Sequence, residues 1–222
     1  MVPMTLVIAN RNYSSWSLRA WLAMRMAGLT FDEIVIPLDQ PDTGNQILEH
    51  SPAGRVPVLH HGDVTIWESL AICEYLAETV PGARLWPETV QARAEARAVS
   101  AEMHAGFTSL REALPMNVRA DRPGVRIEPQ TRADIERILG IWRNCRRKFG
   151  TVGPFLFGRF SIADAMYAPV VSRFATYRVA MDSIEREYAS TIYNLPAMRE
   201  WAAAAAAETW VIAGEEVGEE VG

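Results

Sequence analysis

The chain has little of what marks a membrane, secreted or metal-binding protein. No run approaches the roughly 20 apolar residues that span a bilayer, and the N-terminus lacks the basic and apolar regions of a signal peptide. Only two cysteines occur, Cys73 and Cys145, each alone inside a helical pattern, which is typical of small buried side chains in a reducing compartment. The four histidines show no metal-ligand spacing. We therefore predict a cytoplasmic protein with no membrane partner and no metal.

Positive charge is also scarce. Lys and Arg total 22 against 27 Asp and Glu, a net charge of −5. The one basic cluster, Arg143 to Lys148, falls at the C-terminal end of a predicted helix, where cations complement the helix dipole. We therefore predict no nucleic-acid partner. Hydrophobic residues, in contrast, make up 49% of the chain, as expected of a globular protein with a buried core.

The first eighty residues alternate between two kinds of element. Apolar runs bounded by turn residues predict strands, and runs with helical spacing predict helices. His61-Gly62-Asp63 separates two of the strands and indicates a hairpin. A helix between the first two strands implies that they pair in parallel. The predicted strands cover 6–9, 31–38, 56–60 and 64–67, and the predicted helices cover 15–27 and 69–79, with a weak helical link between 39 and 55.

From about residue 88 the pattern predicts helices only. They cover 91–114, 131–149, a stretch that begins at 161, and 195–207. The fold class is therefore α/β plus all-α, with a mixed N-terminal domain at 1–82 and a linker at 83–90. An all-helical domain follows at 91–213. The last stretch, 214–222, is acidic and has no apolar periodicity, so we predict a mobile tail.

Two short segments carry candidate binding chemistry. Pro57 opens a strand, and if its peptide bond is cis, the backbone of Val56 is free to pair with an extended ligand. A plain strand-initiating proline is the structural alternative. Glu68 and Ser69 stand at a helix N-terminus, where a ligand carboxylate and ammonium can be held together. Ordinary capping by Ser69 is the alternative there.

Together these segments resemble a known family. Ser51 to Leu59, followed by the hairpin and by Glu68 to Leu76, is similar to the glutathione-binding core of the cytosolic glutathione S-transferases. Phe160 to Ala165 resembles the helix-capping element of that family, in which Ser161 caps and Asp164 reaches back. The resemblance covers about residues 5–210.

Membership implies a thioredoxin-like, glutathione-binding N-terminal domain, an all-helical C-terminal domain that bears the second-substrate site, and usually a homodimer. It also implies roles for particular residues. The Val56 backbone, next to Pro57, would pair with the cysteinyl part of glutathione. Glu68 and Ser69 would hold the γ-glutamyl end. For the glycine carboxylate the sequence leaves Gln40, His50 and Arg55 open.

The thiol of glutathione needs a hydrogen-bond donor just after the first strand, because its pKa of roughly 8.5 leaves little thiolate at neutral pH. Ser14 and Ser15 are the leading candidates, and Tyr13 and Ser17 remain open. The segment resembles the serine-serine-cysteine element of zeta-type members, with Trp16 in place of the cysteine. That departure argues against a zeta-type isomerase.

Second-substrate binding is expected on the predicted 91–114 helix and Trp16. Met103, His104, Phe107 and Arg111 are the candidates there, although an apolar stripe also fits a core and Arg111 also fits a solvent-exposed face.

Three functions follow from the resemblance. The first is a detoxifying transferase that conjugates glutathione to small electrophiles. The second is a glutathione-dependent isomerase or peroxidase. The third is a protein that only binds glutathione and apolar ligands. The physiological electrophile is not fixed by any motif.

Overall fold

The structure is a computed structural model that describes residues 2–218. Its N-terminal part holds a four-stranded sheet in the order β2-β1-β3-β4. β1 and β2 are parallel, and β3 is antiparallel to both β1 and β4, so the predicted parallel pair and hairpin are confirmed. The elements are β1 (Met4–Ala9), α1 (Ser15–Met26), β2 (Asp32–Ile36), α2 (Thr43–His50), β3 (Val58–His61), β4 (Val64–Trp67) and α3 (Ser69–Thr79).

Burial explains why this part forms a sheet. Leu6 to Ala9 are fully buried, because β1 lies between two other strands and its apolar run needs cover on both faces. Gly62 turns the hairpin with φ +59°, a conformation that favours glycine. The result is a thioredoxin-like sheet with helices against it, as predicted.

The rest of the described chain is helical. It comprises α4 (Val90–Ala105), α5 (Thr108–Ala113), α6 (Pro129–Phe149), α7 (Ile162–Thr176), α8 (Ser183–Tyr193) and α9 (Pro196–Ala207). This confirms the helical second half, although α8 was not among the predicted helices. Within residues 2–218, no helix combines the length and the apolar character that a membrane crossing requires.

The single helix predicted over 91–114 is wrong, because the chain breaks between α4 and α5. Gly106 is extended and Phe107 is left-handed, with φ +61°. A side chain at Gly106 would place its Cβ 2.9 Å from the carbonyl oxygen of Glu102. The break turns α5 away from the axis of α4, so residues 103–111 do not share one continuous helical face.

α7 joins the two parts of the molecule. At its start, the Ser161 N–H donates to Asp164 Oδ2 at 2.8 Å, which completes a capping box. Burial raises the pKa of Asp164 to about 6. Along its length α7 packs against α1, and the Arg19 Nε donates to the Met166 carbonyl oxygen at 3.2 Å. The core therefore runs without interruption from the sheet into the helices.

The chain end returns to the start of α1. Within the stretch predicted as a mobile tail, Glu216 accepts a hydrogen bond from the Tyr13 hydroxyl at 2.5 Å and one from Arg122 Nη2 at 2.8 Å. Residues 219–222 lie outside the described residues.

Candidate functional site

A cavity of about 540 Å³ opens between the sheet and the helices, a size typical of small-molecule sites. The loop after β1 and the segment before β3 lie on one side, and the C-terminal end of α4 lies on the other. Its lining residues are Ser14, Trp16, Leu38, Ile47, Gly54, Arg55, Val56, Pro57, Glu68, Ser69, His104 and Ala105. Most of the residues expected at the site from sequence are therefore brought together here.

Ser14 is the N-cap of α1 and lies on the cavity wall. Its Oγ accepts from the Ser17 N–H at 3.4 Å and donates to Ser17 Oγ at 2.8 Å. The hydroxyl proton can rotate from Ser17 to an acceptor in the cavity, since Ser17 Oγ also receives the Ala9 N–H at 3.0 Å. Ser14 thus combines a mobile hydroxyl donor with the positive end of a helix dipole.

The other candidate donors do not line the cavity. Ser15 is the next residue of the helix, rotated by about 100°, and its Oγ accepts from Arg173 Nη2 at 3.3 Å. Ser17 is fully buried beneath β1. The Tyr13 hydroxyl donates to Glu216 and accepts from Arg119 Nη2 at 2.9 Å. Among the four hydroxyls, Ser14 has the access that thiol chemistry requires.

The segment before β3 presents free backbone to the cavity. The Val56–Pro57 peptide bond is cis, and both residues line the cavity. Within residues 2–218, no protein group pairs with the Val56 N–H or carbonyl oxygen. An extended peptide can therefore add to this edge as a strand does.

Glu68 and Ser69 form the polar end of the cavity. Glu68 has φ +73°, a strained conformation for a residue with a side chain and one that clusters at functional sites. Ser69 begins α3 and is 1% exposed. Its Oγ has no hydrogen-bond partner among the described residues, although buried hydroxyls normally have one. This arrangement suits a ligand carboxylate at Ser69 and an ammonium at Glu68.

The helical side contributes His104 and holds Trp16 in place. The two rings meet edge to face with centroids 5.3 Å apart, and His104 Nε2 lies 3.4 Å from Glu68 Oε2. Burial lowers the pKa of His104, helped by Arg19 and Arg111, while Glu68 opposes the shift. His104 is therefore largely neutral at pH 7, and its 3.4 Å contact with Glu68 is a close polar approach across the cavity rather than a full ion pair.

The remaining second-substrate candidates lie behind this wall. Met103 is fully buried in the core, and Phe107 is buried at the break between α4 and α5. Arg111 turns back to that break, where its Nε donates to the Gly106 carbonyl oxygen at 3.0 Å. None of these three side chains lines the cavity.

The candidates for the glycine end of a tripeptide are divided. Arg55 lines the cavity. Gln40 does not, and its amide donates to the carbonyl oxygens of Leu38 and Asp39. The His50 ring instead lies at a tilt against the His60 ring, with centroids 5.7 Å apart. Arg55 is thus the cation placed to meet a carboxylate at this end.

Sequence reasoning missed the residues that hold the Ser14 loop from behind. The Glu208 carboxylate accepts the backbone N–H groups of Arg11 and Asn12 at 2.7 and 3.0 Å. Arg119 Nη1 donates to the Glu208 carbonyl oxygen at 2.7 Å. No sequence signal could have found these residues, because nearly two hundred positions separate Glu208 from the loop it supports.

Metal chemistry has no candidate site in the part of the chain that the structure describes. Across residues 2–218, no group of three or more His, Cys, Asp or Glu side chains is arranged to hold a metal ion.

Solved structures share the architecture of this chain. A glutathione transferase homologue from Burkholderia gl BGR1, solved with bound glutathione, superimposes with a TM-score of 0.70 and 23% identity, over 92% of this chain and 98% of that one. At this identity the likeness establishes the architecture alone.

Curated relatives are similar over part of their length. Glutathione S-transferase L1 from Arabidopsis thaliana is 26% identical over 162 residues, 72% of this chain and 62% of that protein. Maleylacetoacetate isomerase from Rattus norvegicus is 38% identical over 104 residues, 45% of this chain and 47% of that protein. The chain thus spans about half to three fifths of the length of these relatives.

Family models cover most of the chain. The model described as the N-terminal domain of glutathione S-transferase matches residues 13–79, and the one described as its C-terminal domain matches residues 91–204. The first match contains the Ser14 loop, the cis-proline and the Glu68-Ser69 pair, and the second contains α4 through α9 up to residue 204. The chain belongs to the glutathione S-transferase family.

Proposed function

We propose that this protein is a glutathione transferase that conjugates the glutathione thiolate to small electrophiles. One observation carries the proposal: a single cavity joins Ser14 at a helix N-terminus, the unpaired Val56 backbone, and the unpartnered Ser69 hydroxyl beside Glu68. A γ-glutamyl group, a cysteinyl amide and a thiol occur in that order in glutathione. Each of these groups has a complementary partner among the residues that line the cavity.

Each of the three residues of glutathione has its own partners in the cavity. Ser69 takes the γ-glutamyl carboxylate with its hydroxyl and the α3 N-terminus, while Glu68 takes the ammonium. Val56 pairs with the cysteinyl backbone. Arg55 is placed to meet the glycine carboxylate. These contacts aim the cysteinyl sulfur at Ser14.

Catalysis then consists of stabilising and positioning a thiolate. Lowering a thiol pKa from roughly 8.5 by about two units corresponds to about 2.7 kcal/mol of preferential stabilisation. The Ser14 hydroxyl donates to the sulfur in place of Ser17, and the α1 dipole favours the negative charge. The sulfur attacks the electrophile beside Trp16 and His104, and no covalent intermediate with the enzyme forms.

The test is direct. Isothermal calorimetry should detect glutathione binding, and absorbance should report conjugation to a neutral aryl halide. Glu68→Gln should weaken binding, whereas Glu187→Gln, on the exposed face of α8, should leave it unchanged. Binding without turnover over a panel of electrophiles would instead indicate a protein that only carries glutathione and apolar ligands.

A glutathione-dependent isomerase is the second candidate. The 38% identity to the rat maleylacetoacetate isomerase over 104 residues supports it, while Trp16 at the position of the cysteine argues against it. Product analysis with a cis-enone separates the two, since isomerisation regenerates glutathione and conjugation consumes it. The same assay with an organic hydroperoxide tests peroxidase activity.

We further propose a cytoplasmic homodimer. Trp67 and Val64 are exposed on the edge strand β4, and Val90 is exposed at the start of α4, which provides apolar surface for a second copy. Both cysteines are buried and free, as a reducing compartment allows. Sedimentation equilibrium measures the assembly, and Trp67→Glu should shift it towards monomer.

A further inference from the structure

Three arginines are buried together behind the cavity wall. Arg19 on α1 is 0% exposed and Arg173 on α7 is 4% exposed, and Arg111 on α5 is partly buried. Burial lowers the pKa of each, to about 10 for Arg173. Repulsion from Arg111 adds to the effect on Arg19 and Arg173, and repulsion from Arg173 adds to the effect on Arg19. All three nevertheless remain cationic at neutral pH. Burying like charges this way is costly, so the cluster calls for an explanation.

The cluster lacks the anions that normally accompany buried arginines. Within residues 2–218, none of the three forms an ion pair with a carboxylate, and their hydrogen bonds go to backbone carbonyl oxygens and to Ser15 Oγ. Four guanidinium nitrogens have no hydrogen-bond partner among the described residues: Arg19 Nη1, Arg19 Nη2, Arg111 Nη1 and Arg173 Nη1. The positive charge is therefore largely uncompensated.

The cluster surrounds the residues that follow Ser14. The guanidinium carbons of Arg19 and Arg111 lie 4.2 and 4.5 Å from the centroid of the Trp16 ring. Arg173 donates to Ser15 Oγ at 3.3 Å, and Arg111 Nη2 donates to the carbonyl oxygen of His104 at 3.3 Å. Since Ser14, Trp16 and His104 line the cavity, one layer of side chains separates the three cations from a ligand at Ser14.

We propose that Arg19, Arg111 and Arg173 stabilise the thiolate of glutathione through that layer, as charges fixed behind the wall rather than as groups that touch the ligand. The inference rests on the proposed function. The bound thiolate is then the anion that balances the cluster. A unit charge about 10 Å away, at an effective dielectric constant of about 20, shifts a pKa by about one unit. The arginines thus add to the Ser14 hydroxyl and the α1 dipole.

Other charged groups near the cluster do not cancel it. Asp134 acts on Arg111 and Glu215 acts on Arg173, each beyond ion-pair distance. The Cys73 thiol, beside Arg19, is neutral because burial raises its pKa to about 12. In the cavity, His104 is neutral at pH 7, and Glu68 is engaged with His104 and with the ammonium end of the ligand.

The experiment measures the pKa of glutathione bound to the full-length protein, from thiolate absorbance in the ultraviolet over a pH series. Each arginine is replaced in turn by Gln and by Met. Replacing buried charges with neutral side chains is often tolerated, and two substitutions at three positions keep the test available when one variant fails to fold. We expect each replacement to raise the thiol pKa by about one unit. Arg111→Lys, which keeps the charge, should largely restore the wild-type value.

A matched control lies on the same helix. Arg25 stands in the last turn of α1 and is paired with Glu200 at the surface, so Arg25→Gln should leave the thiol pKa unchanged. Activity with a neutral aryl halide should fall about tenfold at pH 6 in the cluster variants and converge with the wild type at high pH, because only the thiolate fraction changes. A merely structural role would lower activity at every pH.

The outcomes separate the two proposals. If the wild type ionises bound glutathione below pH 7.5 and the neutral variants do the same, the arginine inference is overturned while the proposed function stands. If the wild type neither binds glutathione nor ionises it, the proposed function fails and the inference fails with it.

Discussion

The two walls of the cavity are built by different means. The sheet-side wall uses local signals: a cap at Ser14, a proline at 57 and a helix start at Ser69, each within a few residues of the groups it positions. The helical wall uses long-range contacts, with His104 reaching Glu68 and three arginines converging from α1, α5 and α7. In our proposal, the first wall recognises the peptide, and the second supplies an electrostatic environment. Its local sequence patterns do not show that role.

This difference indicates which parts of a site can be recognised from a sequence resemblance. A binding segment that presents its own backbone keeps its pattern in the sequence, because the spacing between proline and helix start fixes the geometry. A wall made of side chains from several helices has no such spacing. Substitutions in the two walls should therefore affect turnover, ligand binding and stability differently.

The largest effect is expected from Ser14→Ala on the sheet-side wall. Removing one donor to a developing anion typically costs about a hundredfold in turnover, about 2.7 kcal/mol. Steady-state conjugation with a neutral aryl halide at pH 7 measures it. Turnover should fall far less in Ser15→Ala, because the Ser15 hydroxyl faces Arg173 and not the cavity. Equal losses in both variants would show that the donor is assigned wrongly.

On the helical wall, Gly106→Ala tests the break between α4 and α5. The added methyl group would lie 2.9 Å from the Glu102 carbonyl oxygen, so we expect a loss of about 2 kcal/mol in the free energy of unfolding. Urea denaturation measures it. Gly140→Ala in the middle of α6 meets no atom within 4 Å and should stabilise by about 0.5–1 kcal/mol. Similar changes in both variants would contradict the role of the break.

Ser69→Ala probes recognition without touching the sulfur. Loss of one hydrogen bond to a charged group should weaken glutathione binding about tenfold, or about 1.4 kcal/mol, with turnover at saturation nearly retained. Calorimetry gives the dissociation constant. Ser190→Ala, exposed on α8, provides a control. If affinity is unchanged in Ser69→Ala, the hydroxyl does not bind the ligand.

The smallest effect is expected at His104. Its folded pKa lies below the unfolded value of about 6.5, so the unfolded chain binds the proton more readily. The contribution of neutral His104 to stability is present above that pH and is lost as pH falls through it. Between pH 8 and pH 5.5 the wild type should therefore lose more stability than His104→Gln. Denaturation at both pH values tests this, and parallel losses would contradict it.

Much of the fold could be predicted from the sequence. Both the parallel pair of strands and the hairpin follow from apolar runs and from Gly62, and α3 spans Ser69–Thr79 as predicted, although no side chain caps its start. The two failures have different causes. The 91–114 helix is interrupted at Gly106 and Phe107, where the Arg111 side chain donates to the Gly106 carbonyl oxygen. Helix α8 was not predicted because its apolar stripe is short and the residues at its two ends are weak helix start and stop signals.

In the candidate site, too, some features follow from the sequence and others depend on the tertiary structure. By itself the sequence determined the binding segment from 51 to 69 and its likeness to a glutathione site, because backbone geometry there depends on neighbours in the chain. The tertiary structure decided which hydroxyl reaches the cavity. Tyr13 is held by Glu216, Ser15 by Arg173 and Ser17 by β1, and the partners of Tyr13 and Ser15 come from distant positions. The direction of a side chain depends on what packs around it, and only the folded chain brings those neighbours together.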